Sequence, residues 1–416
     1  MTHDLPSLAG ADWLNAPAAQ RVFDVLMAEG DEVRIVGGAV RNALLGRTMD
    51  GAILDFATTA LPEAVLRQAA AAGIKAVPTG IEHGTVTLVV DGRAFEVTTL
   101  RSDVETDGRH AVVRFGRDWQ ADAERRDFTM NALFVDRTGA IHDPVGGYPD
   151  LLARRVRFIG DPDRRIAEDR LRVLRFFRFL AEYGEGEPDR AGMAAVIRAH
   201  DDIRALSRER IAQEMRKLVV APNAPAVLVL MQDTGVLPVA LAGVGYVGVF
   251  ARVAGVEQAA KAAPAVATRL AALGCRIIED VERLTERLRL SNAERDRMLA
   301  TLSAASDFTP FPDAIRARQL LYRHGSEAFR DGVLHGFAWS TAPPPAKWRE
   351  LFHLPEQWVA PVFPLSGKDV TDLGVPRGPL VGKLLKELEN WWVDHDFAAT
   401  ESELRARLRQ IAASQQ

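Results

Sequence analysis

Residues 33–68 constrain this chain more than any other stretch. Val33, Arg34, Ile35 and Val36 form a short apolar strand that runs directly into Gly37 and Gly38. A helical pattern follows, with Val40, Leu44 and Leu45 on one side. Paired glycines let the backbone turn tightly and leave bare N–H groups against which a bulky ligand can sit. A helix opening there aims its positive end at the same spot. Arg41 adds a planar fork of donors suited to phosphate. The pattern points to a triphosphate seat formed by Gly38 and Arg41. The plainer alternative is a strand–turn–helix whose glycines serve packing, and Gly-Gly-x-x-Arg alone does not separate the two.

The neighbouring strands add acids. Residues 53–57 read as a second strand carrying Asp55 between apolar residues, with Thr58 or Thr59 available to cap the helix over 62–72. Residues 94–100 alternate with period two and carry Glu96. Carboxylates on adjacent strands beside a phosphate seat suit divalent metal binding. Magnesium prefers carboxylate and phosphate oxygens, and such ions assist in-line displacement at phosphorus. Further strands are expected at 74–77, 85–90 and 132–135, and a helix at 18–28, which makes the N-terminal part a mixed sheet with helices packed on it. The polar run 103–110 reads as a loop beside the site.

Five stretches occur in an order that resembles the class II nucleotidyltransferases, the bacterial tRNA CCA-adding enzymes and their poly(A) polymerase relatives. They are Gly37-Gly38-Ala39-Val40-Arg41, Asp55-Phe56-Ala57-Thr58, Phe95-Glu96-Val97-Thr98-Thr99, Arg125-Arg126-Asp127-Phe128-Thr129-Met130-Asn131-Ala132, and Glu168-Asp169-Arg170-Leu171-Arg172-Val173-Leu174-Arg175. The resemblance implies an α+β fold: a mixed-sheet head over 1–150, a helical neck over 151–220, and a helical body and tail over 221–345 and 346–416. It assigns Asp55 and Glu96 to catalysis and magnesium binding, and Arg126 to the triphosphate. Of the adjacent Arg125 and Arg126, at most one is expected to face the site.

Periodicity over 169–179 places Leu171, Leu174 and Phe177 in one row and Arg172, Arg175 and Arg178 in the next, with Asp169 one turn before Arg172. An acceptor edge and a donor fork then lie side by side. By spacing alone this is an intrahelical ion pair. The resemblance makes it the pair that reads the pairing edge of cytosine or adenine, with Arg175 and Arg178 contacting phosphate or supporting Asp169. Ser207 reads as the cap of a further, structural helix. Implied partners are the 3′ acceptor end of tRNA, ATP and CTP, with no membrane and no protein partner. The implied reaction is addition of CMP and AMP to tRNA without a template. Alternatives are poly(A) synthesis, addition of only C or only A, or a catalytically impaired RNA-binding relative.

The last alternative arises from one position. The family places two aspartates two residues apart on the second strand, and the partner of Asp55 here is Ile53. Asp50 is the nearest other acid and the remaining candidate metal ligand. Losing a carboxylate from a two-metal site should slow the chemistry by orders of magnitude.

Composition sets milder bounds. The 416 residues are 47% hydrophobic and 26% charged, as expected for a soluble globular protein of two to four domains. The lone Cys275 excludes an internal disulfide and fits a reducing cytoplasm; nothing near Met1 reads as a signal segment. A net charge of −4 argues mildly against nucleic-acid binding, which requires only a locally basic face. The prolines of 343–345 and 355–364 mark a linker. Beyond it Lys368, Arg377 and Lys383 sit among small residues near a helix start, a pattern equally suited to phosphate contact or to a plain helix hairpin.

Overall fold

A computed structural model describes residues 5–48, 53–107, 110–340 and 347–414, with only the backbone described between 102 and 113. The chain divides into two compact units, residues 1–240 and 241–416.

The first unit is built on a mixed seven-stranded sheet. Its strands are β1 (Val33–Val36), β2 (Leu54–Thr58), β3 (Lys75–Gly80), β4 (Thr85–Val90), β5 (Arg93–Thr99), β8 (Phe134–Asp136) and β9 (Ile141–His142), in spatial order β3-β4-β5-β2-β1-β8-β9. The β2–β5 pair is parallel and the other pairs are antiparallel. Two registers matter for the site: Val36 lies opposite Asp55, and Asp55 opposite Glu96.

Side chains alternate between faces along a strand, so each face of β2 has its own company. Phe56 meets Phe23 of the helix Pro17–Leu26 edge-on, with ring centroids 5.0 Å apart. The opposite face begins with Asp55. Next to it Ala57 packs with Val36, Ala123, Ala132 and Phe134, which brings the helix Trp119–Glu124 and the segment after it over that side. Asp55 is thereby directed toward Arg126.

Several elements differ from the sequence expectation. Thr58 and Thr59 do not cap the next helix. Thr58 Oγ1 accepts from the Ala60 N–H and Thr59 Oγ1 donates to Asp31, while the helix Pro62–Ala71 starts on a proline that needs no N–H partner. The polar run 103–110 is not simply a loop. Strands β6 (Arg101–Asp107) and β7 (His110–Phe115) form a separate two-stranded ribbon, with Gly108 and Arg109 outside the described residues. The chain over 355–364 is only partly linker. Pro355 lies within the helix Lys347–Gln357, held by buried Trp348, Leu351 and Phe352.

The second unit is helical. One apolar cluster gathers Phe308, Leu320, Phe329, Val333 and Trp348, and another gathers Leu365, Val370, Leu384, Trp392, Leu404 and Leu408. Among the described residues no helix is long and apolar enough to cross a membrane.

Gln68 is 5% exposed, and neither amide atom has a hydrogen-bond partner among the described residues. An orphaned buried amide costs about 1–3 kcal/mol. Gln68→Leu is therefore expected to stabilise the protein by about 1 kcal/mol in equilibrium denaturation. A loss of stability would mean that the amide is served by buried water.

Candidate active site

A cavity of about 460 Å³ opens between the sheet and the first neck helices. Its walls carry Gly37, Gly38, Arg41, Asp55, Arg125, Arg126, Asp127, Asn131, Asp169, Arg172, Arg175, Phe179 and Arg210. Six arginines face three aspartates there, so the cleft is locally basic although the chain is net acidic. That distribution supplies the basic face that bulk charge concealed.

The glycine turn works through Gly37. Its φ of 76° and ψ of −123° lie where side chains are strained, and its N–H donates to the Leu133 carbonyl at 3.3 Å. Gly38 begins the two-turn helix Gly38–Leu44, and a methyl group there would sit 3.8 Å from Arg41 Nη2. With so short a helix, fixed positive charge comes mainly from side chains. Arg41 is 6% exposed and firmly held. It donates to Asn131 Oδ1, to Asn42 and to the Tyr183 hydroxyl at 2.6 Å, and it stacks 4.0 Å over the Tyr183 ring.

Both Arg125 and Arg126 line the cleft, where the sequence was expected to admit one. The chain turns at Arg125 after a helix, and the buried Asp122 holds one arginine on each oxygen: Arg125 Nε at 2.9 Å on Oδ1 and Arg126 Nη2 at 3.0 Å on Oδ2. Burial works to raise the Asp122 pKa, but the two guanidiniums outweigh it and the pKa is lowered.

Asp55 opens onto the cleft. Crowding by the surrounding protein, followed by repulsion from Glu96, pushes its pKa up to about 6 against the pull of Arg126. Glu96 is exposed on the same sheet face by register but is not among the residues lining the cavity. Two carboxylates that repel each other in this way leave a site short of positive charge, which is the donor chemistry a divalent cation satisfies. Ile53 lies just ahead of β2 and is 56% exposed. Asp50 lies outside the described residues. Among the described residues no three His, Cys, Asp or Glu side chains gather as a metal cage.

Asp169 and Arg172 both reach the cavity, but not as neighbours on one helix. Asp169 is extended, with φ −151° and ψ 107°, in the break between the helices Pro162–Glu168 and Leu171–Tyr183. Its oxygens accept from the Leu171 N–H at 3.0 Å and from Arg210 Nη2 at 2.7 Å. Arg172 donates to Glu168 and to the Arg165 carbonyl, both at 2.7 Å. The intrahelical ion pair is therefore replaced by two separately supported groups. Arg210 comes from the helix Arg208–Val219, capped by Ser207 as expected; the sequence offered no sign that this structural helix would deliver a side chain to the cleft. Arg175 lines the cavity, whereas Arg178 is 7% exposed behind it, paired with Glu214 and Glu182. Asp127, Asn131 and Phe179 were not singled out as site residues by the sequence reading; Asp127 and Asn131 were visible only as parts of the Arg125–Ala132 stretch.

A polymerase-type nucleotidyltransferase head joined to a helical segment is the class that this fold and cleft define. The model for "Poly A polymerase head domain" matches residues 33–157, and that for "Probable RNA and SrmB- binding site of polymerase A" matches residues 188–244. The mitochondrial CCA tRNA nucleotidyltransferase 1 of Danio rerio is 35% identical, over 91% of this chain and 87% of its own length. The CCA-adding enzyme of Geobacillus stearothermophilus is 34% identical, over 88% and 89%. The crystal structure of the Bacillus stearothermophilus CCA-adding enzyme in complex with CTP superposes with a TM-score of 0.75 at 29% identity, covering 96% of this chain and 98% of that one. The chain belongs to the class II family of CCA-adding enzymes and poly(A) polymerases.

Two outcomes follow from this geometry. Gly37→Ala should cost about 1–3 kcal/mol in a denaturant titration, because its backbone suits glycine alone. Gly38→Ala, at a helical position where the methyl group makes only an ordinary van der Waals contact with Arg41, should be neutral or slightly stabilising. The second concerns acid. Asp127 would be raised by burial, but Arg175, Asn131 and the Phe128 N–H hold its pKa at about 2. Its contribution is present above the ordinary aspartate value of about 4 and fades as pH falls toward 2. Over that window the stability advantage of the unaltered protein over Asp127→Asn should shrink; a constant difference would contradict the assignment.

Proposed function

We infer that this protein completes the 3′ end of tRNA by adding CMP and AMP from CTP and ATP without a nucleic-acid template. The observation that supports this most directly is the placement of Asp55, Arg126, Asp169 and Arg172 around one cleft, on elements far apart in sequence. The relatives named above carry the same activity in their names, over nearly their whole length.

The nucleotide lies with its triphosphate against Arg41, Arg126 and the open surface of Gly38. Its base faces Asp169 and Arg172. Asp169 offers carboxylate acceptor capacity to an exocyclic amine, which cytosine and adenine both carry, and Arg172 offers donors to ring acceptors. Uracil and guanine would leave these groups mismatched, and unpaired polar groups in a closed site discriminate strongly. Arg175, on Asp127, adds positive charge beside the phosphates.

Asp55 and Glu96 would hold magnesium, and an ion held there would supply Lewis-acid chemistry toward the α-phosphate and the attacking 3′-hydroxyl. The arginines neutralise charge that accumulates on the departing pyrophosphate.

Ile53 bears on rate more than on identity. An apolar, exposed side chain next to Asp55 contributes no ligand, so the ion is held by fewer protein oxygens. Ile53→Asp should therefore lower the magnesium concentration at half-maximal rate and raise the rate itself; unchanged magnesium dependence would place position 53 beyond the ion's reach. The activity is tested with purified protein, tRNA lacking its 3′ end, magnesium and each labelled nucleotide in turn. Addition of two C residues and one A is expected, and Asp55→Ala should reduce it by orders of magnitude. Incorporation of UTP, or long A tails, would overturn CCA addition.

A further inference from the structure

The helical unit over 241–416 holds a cavity of its own, of about 470 Å³. It is enclosed by the turn after the helix Val247–Ala259, by the later part of the helix Ala314–Trp339 and by the helix Lys347–Gln357. Ala260, Ala262, Leu334 and Phe352 give it an apolar wall. The rest of the lining is charged, and most of that charge is already matched. Arg297 binds Asp331 at 2.8 Å and Glu327 at 2.7 Å, while Glu356 meets Arg330 at 3.0 Å and His353 at 3.1 Å.

Two charges are left over, one of each sign. Glu257 is 3% exposed. Its Oε2 accepts from Arg269 Nε at 2.7 Å, and among the described residues nothing donates to Oε1. Burial raises the Glu257 pKa; Arg269 opposes that rise and Asp331 adds to it by repulsion. A buried carboxylate with one oxygen unengaged in a cavity wall lacks a donor. Lys261, four residues further on, is exposed at the cavity and makes no ion pair among the described residues. It ends the helix with φ 54°, and the Ala262 N–H closes back onto the Glu257 carbonyl at 2.9 Å. Glycine is the usual residue for that backbone. The lysine found there instead sets an ammonium group one helical turn from the buried acid.

We propose that this cavity binds a small apolar α-amino acid as its zwitterion, with the ammonium group against Glu257 Oε1, the carboxylate against Lys261 and the side chain against Leu334 and Phe352. A lone cation would answer Glu257 and leave Lys261 unmatched, and a lone anion would do the reverse. An α-amino acid carries its two charges on neighbouring groups, as an acceptor and a donor one turn apart require. Both contacts are charge-assisted hydrogen bonds, the stronger kind. No residue of the nucleotide cleft takes part, so the site stands or falls separately from the proposed function.

The test titrates the whole chain by calorimetry with L-valine, L-leucine and L-phenylalanine. At least one should bind saturably with a dissociation constant of about 1 mM or tighter. Two analogues of L-leucine each lack one charge: L-leucinamide has no carboxylate and N-acetyl-L-leucine has no ammonium group. Each should bind about tenfold more weakly or worse, as expected when a hydrogen bond to a charged group is lost. Lys261→Glu, at an exposed position, and Glu257→Gln should each weaken the amino acid by about tenfold or more. If Glu257→Gln fails to fold, Ala263→Trp decides in its place: Ala263 is exposed at the cavity mouth, and an indole there should abolish binding. The proposal is overturned if none of the three amino acids binds, if either analogue binds as well as L-leucine, or if Lys261→Glu leaves the affinity unchanged. Unchanged affinity in Glu257→Gln, or in Ala263→Trp where that variant decides, overturns it equally.

Discussion

Six like charges facing one small cleft would repel one another and spread without fixed counter-charges behind them. The structure supplies those counter-charges from buried carboxylates. Asp122 holds Arg125 and Arg126, Glu168 holds Arg165 and Arg172, Glu214 holds Arg178 and stands near Arg175, and Asp127 holds Arg175. Pairs of this kind repay their own desolvation only in part, so they add little net stability compared with a well-packed apolar core. What they provide is direction. Arg125, Arg126, Arg172 and Arg175 reach the cleft while some of their donors are occupied behind it, and positive charge arranged before the substrate arrives does not have to be gathered during the reaction.

The acids across the cleft follow the opposite logic. Asp55 and Glu96 stand in register on parallel strands, and the pull of Arg126 on Asp55 only partly offsets their repulsion. The arginine wall is therefore internally neutralised, while the end that carries the two acids is left deficient in positive charge. Ile53 adds no charge at the acid end and leaves the arginine wall unaffected. A site altered in this way should retain its choice of nucleotide more fully than its rate.

The glycine turn, the two acid-bearing strands and the arginine-rich neck helix were legible in the sequence because each is a local pattern. Strand period, paired glycine and helical spacing are set by residues only a few positions apart. Local spacing misled where the outcome depended on which partner a charged side chain met. Asp169 and Arg172 are three apart and read as helix neighbours, yet Asp169 leaves the helix because Arg210, 41 residues away, and the Leu171 N–H take its oxygens. Arg178 shares a row with Arg172 and Arg175, but Glu214 and Glu182 draw it out of the cleft. Adjacent Arg125 and Arg126 both turn inward because Asp122 has two oxygens and lies buried beneath them.

The sequence by itself determined the kinds of element, their order and the residue types that carry the chemistry, since backbone propensity and side-chain period act over a few residues. It also placed an isoleucine where a second strand acid belongs in the family. Only the tertiary structure decided which charged side chain faces the cleft and which stands behind it. That choice follows from where a counter-charge is held, and for Arg175, Arg178 and Asp169 the partner comes from a segment that meets them only after the chain has folded.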